Sequence, residues 1–229
     1  MSDLFENLAE VESRIEKACL ASGRDRQEVT LVGVSKKHPV ERLREAFDAG
    51  LRIFGENRVQ EAMVKMPELP SSIEWHLIGH LQTNKVRQVI HAEFELIHSV
   101  DSERLLLALD QEASAQGRVQ PLLLQVNVSG EASKFGLPPD QLIPLLEQAN
   151  SCHHVDIQGL MTMPPFTEDP ENAAPHFAAL RDLRNQAEKA SGFLLPVLSM
   201  GMSHDMHVAI REGATHVRIG TDLFGIRKG

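Results

Sequence analysis

Over the first two dozen positions, apolar side chains fall at Leu4, Leu8, Val11, Ile15 and Leu20. That spacing predicts a helix over residues 3–22, with Ser2 or Asp3 available to cap its first turn. From residue 30 the period changes. Eight short apolar runs follow, "TLVGVSK" (30–36), "RIFGEN" (52–57), "EWHLIG" (74–79), "FELIHSV" (94–100), "PLLLQVNV" (121–128), "DIQGLMTM" (156–163), "LPVLSM" (195–200) and "HVRIG" (216–220), each predicting a strand. Amphipathic segments of helical length separate them at 40–50, 84–90, 102–117, 139–150 and 173–190, and Gly50, Gly117 and Gly192 stand where helix C-caps belong.

Strand-then-helix alternation with nearly continuous apolar strands implies a parallel sheet covered by helices. Eight repeats favour closure into a single (β/α)8 barrel of the TIM type, preceded by an extra N-terminal helix. A doubly wound sheet would place a glycine-rich turn after its first strand, and "VSKKHPV" (34–40) is not one. The 229 residues suit one domain, with residues 1–25 as a helix laid on the barrel and 26–229 as the barrel itself. A proline-rich loop, "MPPFTEDPENAAP" (163–175), has a length that often serves function.

Charge and composition narrow the partners. A formal net charge of −9 gives no general attraction for a polyanion, so nucleic acid is not expected and a phosphate-bearing ligand must be held by local groups. Two cysteines, Cys19 and Cys152, are too few for a disulfide framework. No apolar signal core opens the chain, and no run of about 18 apolar residues offers a membrane span. The expectation is a cytoplasmic protein away from the membrane.

In a barrel of this kind the functional groups sit at the C-terminal ends of the strands. Those ends are polar here: Ser35, Lys36 and Lys37 after the first strand, Glu56 and Asn57 after the second, His80 and Gln82 after the third, and Asn127 and Lys134 after the fifth. Ser199 and Ser203 bracket a Met200-Gly201-Met202 turn after the seventh strand, and Gly220-Thr221 opens "TDLFG" after the eighth. The loops after strands seven and eight are the usual phosphate cradle of this fold, although Ser and Gly are also ordinary turn residues.

Lysine is seldom buried, and desolvation at a barrel mouth disfavours its charged form. A neutral amine attacks aldehydes, whereas a lysine ending a strand can equally be a solvated gatekeeper or half of an ion pair. Alternation turns only one of Lys36 and Lys37 inward, and periodicity does not say which. An amine at strand one together with a phosphate cradle at strands seven and eight suits an aldehyde-bearing phosphate. Arg218 shares strand parity with Gly220 and His216. Set against a pyridine nitrogen, its guanidinium would keep that ring neutral and weaken it as an electron sink; a carboxylate partner for Arg218 is an equal alternative.

Eleven histidines raise the question of a metal, but "CHH" (152–154) and "HDMH" (204–207) match no zinc spacing, and no metal is expected. Cys152 lacks a base pattern that would mark a nucleophile. Met161, Met163, Met200 and Met202 are expected to line the barrel as gap-fillers.

Taken together, "VGVSK", "FGENRVQEA", "WHLIGHLQTNK", "GLMTM", "LSMGMSHDMHVAI" and "VRIGTDLFG" resemble the pyridoxal phosphate homeostasis proteins, whose fold is similar to the N-terminal barrel of alanine racemase. The resemblance runs from first strand to last. It implies pyridoxal 5′-phosphate as the cofactor, a Schiff base on Lys36 and not Lys37, and Ser203, with Ser199, Gly220 and Thr221, on the phosphate. It further implies Arg218 near the pyridine nitrogen, Asn57 and His80 close to the ring or the entrance, Met200, Gly201 and Met202 shaping the cradle, and Lys134 as a secondary contact. The family is thought to buffer and deliver the cofactor, with effects on amino-acid and keto-acid metabolism, and has no established reaction, so no catalytic residue is expected. PLP-dependent apo-enzymes are the implied acceptors and a monomer is expected. The alternative is a weak PLP-dependent amino-acid racemase or related one-base enzyme, since a two-base racemase would need a tyrosine and the chain has none. A Schiff-base aldolase without cofactor would share the lysine but be colourless.

Overall fold

The structure, a computed structural model, describes residues 3–131 and 133–225. Helix α1 (Asp3–Ala21) leads into β1 (Thr30–Val34), α2 (Val40–Asp48), β2 (Ile53–Glu56), α3 (Val59–Lys65), β3 (Glu74–Leu77), α4 (Val86–His91) and β4 (Leu96–Val100). The second half runs α5 (Glu103–Ala115), β5 (Gln120–Gln125), α6 (Leu142–Ala149), β6 (Val155–Met161), α7 (Ala174–Ser191), β7 (Val197–Met202), α8 (Met206–Arg211), β8 (His216–Ile219) and α9 (Thr221–Phe224). All eight predicted strands are present, with ends shifted by a few residues. The sequence pattern misses α3, α8 and α9, each of seven residues or fewer, although it registers the six-residue α4. Of the two candidate caps of α1, Ser2 lies outside the described residues.

The strands form one closed, wholly parallel barrel in chain order, with β8 paired back onto β1. Closure follows from the right-handed twist that accumulates over eight strands, each returned by a helix to the same end of the sheet. The main core is the shell between sheet and helices, filled by side chains such as Phe54, Leu106 and Phe177. A second, small cluster of Leu96, Leu123 and Met161, joined by Val197, fills the lumen.

Two expectations need correction. Met161 does lie in the lumen, but the Met200 side chain is buried in the outer shell, and Met163 and Met202 are exposed at the rim. Strand parity explains this: Met200 follows the lumen-facing Ser199 by one residue and therefore points the other way. In α1, Leu20 is 79% exposed, and Ala18 and Cys19 take its place on the buried stripe with Leu4, Val11 and Ile15. Among the described residues, no helix is long and apolar enough to cross a membrane.

Candidate ligand site at the barrel mouth

The β1–β8 register pairs Thr30 with His216 and Val32 with Arg218. His216 and Arg218 face the lumen, so Thr30, Val32 and Val34 face it as well, and Lys36 continues that parity. Beyond β1 the chain turns: the His38 N–H donates to the Ser35 carbonyl across 3.2 Å, which leaves Lys36 and Lys37 as the two central residues. Lys36 is half-buried; Lys37 is exposed and has φ +63°, a left-handed conformation uncommon for lysine. Both lysines lie beyond the paired residues of β1, and of the two Lys36 is the more enclosed. His38 then stacks on Phe224 of α9, with ring centroids 4.9 Å apart, so the turn after β1 touches the element that follows β8.

Below the rim, the lumen holds a chain of polar contacts that cross the barrel. Arg218 Nη1 donates to Ser199 Oγ at 2.6 Å and Nη2 to the Thr162 carbonyl at 3.0 Å. Ser199 Oγ lies 2.8 Å from His98 Nδ1, and His98 Nε2 lies 3.0 Å from His76 Nδ1. A guanidinium only donates, so Ser199 accepts from Arg218. Its hydroxyl also meets His98 Nδ1, and the contacts run in one direction from Arg218 to His76 when the His98 proton sits on Nε2. His216 completes the layer, 6.1 Å from each of the other two rings.

This layer excludes protons. Burial, with the neighbouring His216, holds His76 down to about 3; burial, with Arg218, holds His216 down to about 4. Burial drives His98 well below the ordinary histidine value, and its neighbours His76, His216 and Arg218 act in the same direction. Arg218 itself is lowered by burial to about 10, with Asp205 opposing, and so remains a cation at neutral pH. Its hydrogen-bond partners are a hydroxyl and a carbonyl, not the carboxylate that the sequence left as an alternative.

The rim over Arg218 comes from β7 and β8. Gly201 has φ +92°, and a Cβ there would stand 2.5 Å from Ala209 Cβ, so only glycine lets the chain bend toward Ser203 at this point. The Met202 N–H donates to Asp205 Oδ1 at 2.7 Å and closes the turn. Gly220 lies against Val34, whose Cβ would be 3.3 Å from a Cβ at 220, and Thr221 begins α9. Arg14 of α1 ties the two loops together: Nη2 donates to the Ser203 carbonyl at 2.9 Å and Nη1 pairs with Asp222. The extra helix therefore braces the rim.

Across the mouth, Asn57 packs its backbone against Gly79, where a Cβ would fall 2.3 Å from the Asn57 carbonyl oxygen. His80 is exposed, stacks on Phe135 at 3.9 Å and sets Nδ1 3.1 Å from Asp101. Lys134, next to Phe135, is half-buried in the same loop. Thus Lys36, Ser203, Gly220 and Thr221 share one side of the mouth, while Asn57, His80 and Lys134 border the other. Ser199 is different: it is fully buried in the layer below, its hydroxyl committed to Arg218 and His98, so it supports the site from beneath and does not sit at the rim with Ser203. The side chain of Met200 likewise points away, which leaves only its backbone for the rim.

Sequence reasoning overlooked Arg14, the histidine layer and Lys65 of α3, which is 5% exposed and donates to the Ser35 carbonyl. The histidines did leave a signal: His76, His98 and His216 are polar positions on strands enclosed by a barrel, which is unusual. Arg14 and Lys65 left none, since each sits on a helix among other charged residues.

The sequence profile of the family described as "Alanine racemase, N-terminal domain" matches residues 7–228. The pyridoxal phosphate homeostasis protein of Aquifex aeolicus is 46% identical over 224 residues, 97% of this chain and 98% of that one. That of Pseudomonas aeruginosa is 45% identical over 230 residues, 99% and 97% of the respective chains. The structure of PipY from Synechococcus elongatus with PLP bound superposes with a TM-score of 0.86 at 39% identity, covering 97% of this chain and all of that one. Alanine racemase from Clostridium difficile shares the fold, with a TM-score of 0.76 at 14% identity, and this chain spans 57% of its length.

Proposed function

The chain belongs to the pyridoxal phosphate homeostasis proteins, and from that premise we propose that it holds pyridoxal 5′-phosphate as a Schiff base on Lys36 and takes part in intracellular vitamin B6 homeostasis. The observation that carries the reading is the juxtaposition at the mouth: a lysine on lumen parity after β1, beside the Ser203 and Gly220-Thr221 rim, with a buried cation beneath. The residues fit the group. Two hydroxyls and glycine-bearing turns suit a phosphate, and Arg218, which only donates, suits an unprotonated ring nitrogen.

When bound, the cofactor supplies an aldehyde that amines attack and a ring that withdraws electrons. The protein's own groups then divide the work. Ser203, Thr221 and the backbone around Gly201 and Gly220 hold the phosphate, with Met200 contributing backbone only. Lys36 Nζ is the covalent anchor. Arg218, carried on Ser199 and the Thr162 carbonyl, would donate toward the ring nitrogen and keep protons from it, which would restrain electron withdrawal and favour a carrier over an amino-acid-converting enzyme. Asn57 and His80 line the entrance, with Lys134 as an outer contact. A cytoplasmic monomer that passes the cofactor to PLP-dependent apo-enzymes is the form in which this reading operates.

Borohydride treatment of the PLP-loaded protein tests it. Loss of the yellow colour and a modified peptide containing Lys36 are expected, and a spectrum unchanged by Lys36→Ala would overturn the assignment. Turnover-level exchange of amino-acid α-protons in deuterated water would instead favour a one-base enzyme.

A further inference from the structure

Behind the turn that carries Lys36 lies an ion cluster that ligand binding does not use. Lys65 Nζ, at the end of α3, donates to the Ser35 carbonyl at 2.9 Å, to Glu56 Oε1 at 2.7 Å and to Glu61 Oε1 at 2.7 Å. Ser35 Oγ donates to the same Glu56 oxygen at 2.7 Å, and the Lys37 N–H donates to Glu61. Ser35 and Glu56 are fully buried, and Glu56 Oε2 has no hydrogen-bond partner among the described residues. These contacts sit on the helix side of the sheet: Phe54 packs in the outer shell, so Glu56, two residues on, faces the same way.

The arrangement is costly for mere cohesion. Burying Glu56 pushes its carboxyl up despite the bonds from Lys65 and Ser35, and an apolar group of similar volume would avoid the desolvation. Its contacts are also unusually local. They grip the residue before Lys36 by carbonyl and hydroxyl and the residue after it by its N–H. The gripped residue Lys37 has the left-handed φ of +63°, a conformation that persists in a non-glycine residue only where the surroundings over-determine it.

We propose that Lys65, Glu56 and Glu61 form a positioning clamp that fixes the Ser35–His38 turn so that the Lys36 amine is held toward the barrel mouth for reaction with an aldehyde. The inference rests on the proposed attachment of pyridoxal 5′-phosphate to Lys36. That reaction forms one C=N bond between Nζ and the aldehyde carbon and releases the aldehyde oxygen as water, with no oxidant or reductant required. Lys65, Glu56 and Glu61 are positioning residues: they act through the turn.

The test uses the full chain, with Glu61→Ala and Lys65→Met as perturbations and Glu61→Gln as the conservative variant that keeps an accepting oxygen for Lys37. Two ligands are compared, pyridoxal 5′-phosphate and 4′-deoxypyridoxine 5′-phosphate, which lacks the aldehyde but keeps ring and phosphate. Both perturbations should lower the affinity ratio of the first ligand to the second by roughly tenfold or more, as expected when a reacting group is misplaced. Glu61→Gln should stay near the wild-type ratio. A role in stability alone would weaken both ligands together or leave the ratio unchanged, and either result overturns the clamp. Glu61 is partly exposed, so Glu61→Ala serves even if Lys65→Met does not fold. In ligand-free protein, hydrogen exchange at the Lys37 amide should be slow and should speed up in Glu61→Ala; an amide already unprotected in the wild type also overturns the clamp. If the wild type captures no pyridoxal 5′-phosphate, the cofactor reading fails, and the exchange measurement still decides whether the clamp grips the turn.

Discussion

Gly201 offers the sharpest test of how the rim is built. Substitution by alanine adds one methyl group and two penalties. The first is backbone: at φ +92° an L-residue is strained, at a cost of about 1–2 kcal/mol by the left-handed-region estimate. The second is steric: the new Cβ would lie 2.5 Å from Ala209 Cβ and 3.3 Å from Met206 Cα, so β7 and α8 must part, at about 1–3 kcal/mol for overpacking a filled core. The sum is roughly 2–5 kcal/mol, and each kcal/mol lowers the melting temperature of a domain this size by about 2–4 °C. Gly192 is the internal control. It has φ +76° at the C-cap of α7, and a Cβ there meets nothing within 4 Å, so Gly192→Ala carries only the backbone penalty. Urea denaturation of both variants should place Gly201→Ala lower than Gly192→Ala by about 1–3 kcal/mol. Equal losses would refute the argument that close packing of β7 on α8, and not backbone conformation alone, requires glycine at this turn.

Three further outcomes follow from the site. Ser203→Ala should weaken binding of pyridoxal 5′-phosphate by about 1–2 kcal/mol, the worth of one charge-assisted hydrogen bond, and an unchanged affinity in equilibrium titration would move the phosphate elsewhere. Stability should fall on acidification. The unfolded chain takes up protons at His76 and His216 near the ordinary value of 6.5, whereas the folded protein refuses them until about 3 and about 4. Each imidazole therefore costs about 1.4 kcal/mol per pH unit below 6.5, down to its own folded value. Denaturation midpoints between pH 7 and 4.5 should show a shallower slope in His216→Phe than in the wild type, and identical slopes would sink the assignment. Finally, nitrogen-15 NMR should find the His98 proton on Nε2, with Nδ1 unprotonated and accepting from Ser199; the opposite tautomer would break the directed chain from Arg218 to His76.

The histidine layer also changes how Arg218 is understood. An arginine set against a carboxylate would have its field largely cancelled. Here the contacts are to dipoles, through Ser199 and the Thr162 carbonyl, and the imidazoles behind Ser199 stay neutral because burial denies them protons. Among the described residues Arg218 makes no ion pair, although Asp205 acts on it from a distance, so a positive charge is held close under the barrel mouth. In this sense the lumen is built around an electrostatic requirement as much as a packing one, which accounts for polar side chains where many barrels of this type place aliphatic layers.

Much of this was legible in the chain. Period-2 and period-3.6 patterning determined the eight strands, most helices and the parallel barrel, because burial of one face is a local property of spacing. The motifs at strand ends likewise named Lys36, Ser203, Arg218, Gly220 and Thr221 as candidates, since the end of a buried strand is where a polar side chain can reach the barrel mouth. Tertiary structure alone decided what depends on register and closure. Pairing of β1 with β8 set Val32 beside Arg218, and the turn that follows β1 left Lys36 half-buried and Lys37 exposed. Closure also decided that Ser199 serves the layer beneath the rim, that His98 on β4 can reach Ser199 on β7 through the lumen, and that Arg14 and Lys65 brace turns far from them in sequence. Such contacts join residues whose spacing along the chain carries no period, so no local pattern can announce them.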